Sequence, residues 1–249
     1  MNLDVDTLTK NLASYSSEAN GVSESIAKGL FPIGFAILTI FFLIELMNWK
    51  NFLNRHEKKI TMSLWVEFTV KYFLGVVLLM GSSLILDSIM EVSIAIIRKV
   101  NEIYPPSSYS FSYTEADFGG WFTNMIMNFV GWILEKISQI IVIILIFIRY
   151  IDLYFLKAVA PVLIGFFYSD DFRSVVANFF KTFIAYSLLG VILLILTVIF
   201  GIVIKDDYLK GVANGDSSWT AFLVIIKGIA YIIIMVGSAR KIKSLMGVS

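Results

Sequence analysis

The chain has no cysteine and a single histidine, His56. The first absence excludes disulfides, thiolate metal sites and cysteine nucleophiles. The second leaves no histidine pair for a metal centre or an acid–base relay. Prolines are few, with four in 249 residues, and the net charge is only +1. So small a charge gives no global steering toward nucleic acid. No HExxH, nucleotide-binding loop, GxSxG or intramembrane His–Asp pair is present. The chain therefore carries no catalytic set, and no metal or cofactor is expected. Without an ATP motif it cannot power transport by itself.

What the chain has in excess is apolar sequence. Hydrophobic residues make up 58%, and the mean hydropathy is +0.82. A bilayer span needs roughly 20 apolar residues. Apolar runs at about 30–47, 64–86, 137–150, 183–204 and 219–236 predict an all-α, polytopic transmembrane helix bundle of about five spans. The second run continues as a more polar helix to about residue 100, since Ile89, Val92, Ile96 and Val100 keep helical spacing. Residues 101–120 read as a loop, punctuated by Pro105-Pro106 and Gly119-Gly120. Trp121, Phe122, Met125, Phe129 and Trp132 then recur at three- and four-residue steps. They predict an interfacial aromatic helix or the wet start of the third span.

Residues 151–168 are apolar but contain Asp152, Lys157 and Pro161. Ala158–Phe167 is too short to cross alone, so the stretch reads as a re-entrant or cytoplasmic-end element. Residues 1–29 are polar and slightly acidic, without the basic start and apolar core of a signal peptide. They are expected to be retained as an extracytoplasmic segment. Leu8, Leu12, Tyr15, Ala19, Ile26 and Leu30 recur there at loosely helical steps. An amphipathic surface helix, a partner-binding element and solvated disorder all stay open for it.

Lysines and arginines in short loops set orientation. With the N-terminus outside, the inside set holds Lys50, Arg55, Lys58, Lys59, Arg149, Lys157, Arg173, Lys181, Arg240, Lys241 and Lys243. The outside set holds Lys10, Lys28, Arg98, Lys99, Lys205 and Lys210. The expectation is N-out and C-in. Trp49, Trp65, Trp121, Trp132 and Trp219 fall near span ends or in the interfacial helix, as membrane belts require.

Charges inside spans are costly and face a bundle interior or water. Lys227 lies about 12 Å into the fifth run, and Asp87 at the end of the second is placed to face it. Glu67 and Lys71 stand in the favourable i,i+4 order. Arg149 and Asp152 are spaced to pair. Local pairing and interface anchoring are the favoured reading of these two pairs, whereas for Lys227 a structural partner in the bundle and a pore- or subunit-facing role stand level.

The stretch FLKAVAPVLIGFFYSDDFRSVVANFFKTFIAYSLLGVILLIL carries the one family signal. Ala158, Pro161, Val162 and Leu163 form an apolar step ending one helix. Phe172 and Arg173 mark a short turn, and Phe179, Phe180 and Phe183 lead into the next span. This pattern, over about residues 150–200, resembles the TrbL-like polytopic inner-membrane channel components of conjugative type IV secretion systems, in their Gram-positive version. The remainder matches by topology. The resemblance implies a non-enzymatic subunit in the bacterial cytoplasmic membrane, a homo-oligomer at the base of a translocation path. Its partners would be separate ATPases and other secretion subunits, with transient contact to transferred DNA or protein. Pro161 would be a structural break near the path. A small secondary transporter or ion channel acting alone is the competing class, and a lipid-modifying membrane enzyme a third. The transporter class needs paired helix breaks at the midplane, of which Pro161 with Gly165 supplies one.

Overall fold

The computed structural model describes residues 5–55, 62–105, 120–205 and 217–247. Two single-turn helices come first, α1 (Val5–Leu8) and α2 (Leu12–Tyr15). The Asn11 side chain caps α2 by accepting the Ser14 N–H at 2.8 Å. Then follow α3 (Ser17–Arg55), α4 (Met62–Met80), α5 (Ser82–Ile103) and α6 (Trp121–Gly165). A 3-10 turn at Phe166–Tyr168 leads to α7 (Arg173–Lys205) and α8 (Ser217–Leu245). Every described element is helical. The expected connectors at 56–61 and 206–216, and most of the 101–120 loop, lie outside the described residues.

Three described helices are long and apolar enough to cross a membrane. They are Ser17–Phe52, Trp121–Tyr168 and Arg173–Val203. A fourth is added if the α4–α5 pair counts as one span. The protein is thus a membrane-embedded helical bundle. The run at 219–236 falls on α8.

Three expectations are corrected. The second span is not one continuous helix, because the chain bends by 65° between α4 and α5. Gly81 stands at the break, with no side chain to bridge the two turns. Residues 151–168 are not a separate re-entrant element. Residues 151–165 continue the third run in α6, a 45-residue helix with Pro161 inside it, and 166–168 form the 3-10 turn at its end. At 1.5 Å per residue α6 is about 67 Å long, against a hydrocarbon core of about 30 Å. The boundary at 29/30 falls inside α3, which begins at Ser17 and runs on without a break.

The lower part of α3 lies parallel to the end of α6. The Ser23 hydroxyl donates to the Tyr154 carbonyl at 2.9 Å, and Gly34 packs on the Pro161 carbonyl and on Gly165. Further on, Phe41 meets Phe166 with centroids 5.7 Å apart. In this register the apolar run of α3 lies largely beyond the end of α6. The 137–150 run of α6 lies on the other side, beside α7. The apolar runs of α3 and α6 are therefore staggered along the bundle. α4 returns along α3, with Phe68 against Trp49 and Tyr72 against Phe42.

Burial follows this layout. The apolar window of α7 is 61% buried inside the protein, that of α3 only 11%. α7 is the central helix, and α3 turns most of its apolar surface outward. Phe183, Leu189, Leu193 and Leu194 of α7 join Val142 and Ile146 of α6 and Met235 of α8 in one core.

Candidate functional site

Two basic side chains of α6 are almost completely buried, Arg149 at 0% and Lys157 at 2% exposure. They stand eight residues apart on the helix, so both face the same side. Buried charge is expensive in an apolar bundle unless it is paired and hydrogen-bonded. The two are satisfied in different ways.

Lys157 is held by carboxylates. Its Nζ donates to Asp87 Oδ1 at 2.9 Å and Oδ2 at 3.0 Å on α5. It also reaches Glu24 Oε1 at 3.2 Å and Asn20 Oδ1 at 3.1 Å on α3. One ammonium thus clasps three helices. Asp87 and Glu24 keep 43% and 38% of their side chains exposed, so the clasp is dry at its centre and open at its rim.

Arg149 is held by main-chain oxygens. Its Nε donates to the Tyr186 carbonyl at 3.1 Å and its Nη2 to the Ser187 carbonyl at 3.0 Å, both on α7. Its Nη1 reaches the Leu8 carbonyl at 3.5 Å and its Nη2 the Met90 sulfur at 3.6 Å. The guanidinium fits because position 190 is glycine. A Cβ there would lie 2.5 Å from Nη1 and 2.8 Å from Cζ.

The N-terminal segment closes over this face. Leu8 and Leu12 are buried in the core. The Tyr150 hydroxyl donates to the Thr7 carbonyl at 2.8 Å and the Lys10 carbonyl at 2.7 Å. Tyr154 donates to the Leu12 carbonyl at 2.6 Å. Tyr15 stacks on Tyr150 with ring centroids 3.7 Å apart, and Asn11 donates to Glu91 at 3.2 Å. Isolated one-turn helices do not hold their shape, so these tertiary bonds fix the segment. Tyr150→Phe removes a buried donor shared by two carbonyls and should cost about 1 kcal/mol. Limited proteolysis would register it as faster cleavage within residues 5–16, with the rest of the bundle protected as before.

The sequence-predicted charges are placed as follows. Lys71 does not pair with Glu67, which is exposed; it reaches Asp170 at 2.9 Å, and its Nζ lies 4.8 Å from the Tyr168 ring centroid. Asp87 is engaged by Lys157 instead of facing Lys227, which lies half-buried on α8. Arg149 bonds to carbonyls and not to Asp152, which is half-buried. Pro161 is a buried packing surface against α3 and not a break. Arg149 and Lys157 lie beside the N-terminal segment and so share its side, which does not fit the expected split of that segment outside and these two residues inside. Lys243 sits 4.9 Å from the Tyr186 ring centroid, so the basic C-terminal end reaches that side too. Asn11, Asn20, Glu24, Tyr150, Tyr154 and Asp170 were missed as site residues. Their only sequence signal is that they are polar groups bordering apolar runs.

Among the described residues, no group of three or more His, Asp or Glu stands close enough to hold a metal ion. No protein-family model, curated protein or solved structure matches this chain.

Proposed function

We propose that the chain is a non-enzymatic membrane subunit of a type IV secretion machine for conjugative DNA transfer. It would be oligomeric at the base of the translocation path and dependent on separate ATPases. One observation carries this reading. The 150–200 stretch that resembles TrbL-like components is also the stretch that organises the bundle. It supplies Lys157 to the three-helix clasp, the Pro161 carbonyl to the closest approach of α3, and most of the central helix α7. The broad outward apolar surface of α3 supports an assembly role. Affinity purification of the tagged protein from cells carrying its native element should recover a homo-oligomer together with other secretion subunits. Recovery as a monomer alone would remove the assembly role.

On topology, with Arg149, Lys157 and Lys243 left out of the count, the connector charges Lys50, Arg55, Lys58 and Lys59 favour that connector as the inside one, and five spans with the N-terminus out and the C-terminus in is the arrangement to test. Lys10→Cys should then react with an impermeant maleimide in intact cells, and Lys243→Cys only after permeabilisation. Labelling of both from outside would replace this arrangement with the one that the Lys243–Tyr186 contact favours.

A second reading has its own observation. The half-exposed Asp87 and Glu24 around a buried lysine are the kind of ion-linked cluster a small secondary transporter uses. Flux through proteoliposomes containing this protein alone would favour that class, and tight vesicles would remove it.

A further inference from the structure

The donors facing the N-terminal segment form a set of their own. The Arg149 guanidinium, the Tyr150 hydroxyl and the Tyr154 hydroxyl all point N–H or O–H groups at oxygen atoms of that segment. Those oxygens are main-chain carbonyls, which carry no charge. No hydrogen bond or ion pair links Arg149 to a carboxylate among the described residues, although it is fully buried. Such a charge is retained at a cost. Docking the segment adds to that cost by drying the guanidinium, and two buried leucines with two tyrosine O–H donors, that of Tyr150 shared between two carbonyls, offset it. The helical path breaks between the segment and α3 at Ser16, which is extended with φ −150° and ψ 106°. The segment is thus a small unit, set off from α3 by that break and laid over a cation with no carboxylate partner among the described residues.

We propose that residues 5–15 are a displaceable plug over an oxyanion site built from Arg149, Tyr150 and Tyr154, and that its ligand is a phosphate group. Arginine and tyrosine are standard donors to phosphate oxygens. A phosphate would supply both the acceptors these groups need and the negative charge the carbonyls lack. Because it binds only when the plug is out, it shifts the equilibrium toward the open form. The inference stands on this geometry; only the identity of the natural ligand as a transferred DNA strand rests on the secretion reading.

The natural absence of cysteine gives a clean reporter. Leu12 is 2% exposed, so the full-length Leu12→Cys protein in phosphatidylcholine nanodiscs should react slowly with a water-soluble maleimide. Inorganic phosphate should raise that rate about tenfold at saturation, and sodium chloride of equal ionic strength should not. Arg149→Gln in the same background should abolish the phosphate response. If that variant does not fold, Tyr154→Phe should weaken the response several-fold. Nanodiscs containing phosphatidylglycerol separate the sources. Release there without added phosphate identifies a lipid headgroup, and release only on adding phosphate identifies a free or strand-borne group. A labelling rate that phosphate and phosphatidylglycerol leave unchanged, that chloride raises equally, or that Arg149→Gln leaves responsive overturns the proposal. None of these results depends on DNA transfer, so the site and the secretion reading fail separately.

Discussion

Asp87→Ala should destabilise the protein far more than Lys157→Met, although the two changes break the same ion pair. Removing Asp87 strands an ammonium that is 2% exposed. Breaking a fully buried pair from one side costs roughly 3–5 kcal/mol. Here Asp87 is 43% exposed and Glu24 and Asn20 remain, so about 2 kcal/mol is expected. Lys157→Met removes the buried charge and keeps an apolar stem of similar length. The two carboxylates then turn to solvent at their open rim, and the change should stay within about 1 kcal/mol. Thermal denaturation of the detergent-solubilised variants, followed by loss of the monodisperse peak in size-exclusion chromatography, measures both. Equal losses would mean that the clasp is not dry.

The second large effect is steric. Gly34→Ala places a methyl group against the Pro161 carbonyl, in a contact of backbone with backbone. Gly165→Ala meets the Gly34 carbonyl oxygen at 2.6 Å from the other side. No side chain can move aside at either position, so α3 and α6 must separate. Overpacking of this kind costs about 1–3 kcal/mol, and the upper end is expected here. The double variant should cost less than the sum, because both methyls open the same contact. Gly21 and Gly29 on the same helix have nothing within 4 Å of an added Cβ. Alanine at those positions should be neutral or stabilising by up to about 1 kcal/mol through helix propensity. Opposite signs within one helix, read in the same thermal assay, would locate the helix contact at Gly34. Equal effects at all four glycines would contradict it.

The sequence made some of this legible and hid the rest for physical reasons. Hydropathy located the helices because apolar length is a one-dimensional property. It also singled out Lys71, Arg149 and Lys157, since charge within an apolar run is visible without a structure. Their partners were not. Pairing by spacing finds only neighbours on one helix, whereas Lys157 meets Asp87 seventy residues away and Lys71 meets Asp170 ninety-nine residues away. The i,i+4 pair of Glu67 and Lys71 was the locally favourable choice and lost to a carboxylate on another element. Gly81 was legible as a small residue but not as a bend, since α4 and α5 are each good helices on either side of it. Leu8 and Leu12 were legible as periodic, but their seat was not, because Arg149, Tyr150 and Tyr154 become a docking face only once α6 packs beside them. Pro161 read as a break, yet α6 runs through it.

The measurement that tests the central claim most directly is DNA transfer to a recipient after in-frame deletion of this gene from its native genetic element, with complementation in trans. The account predicts complete loss of transfer, restored by the intact gene. Undiminished transfer, with the deletion verified and no second copy present, would contradict it and leave the small transporter as the reading to pursue.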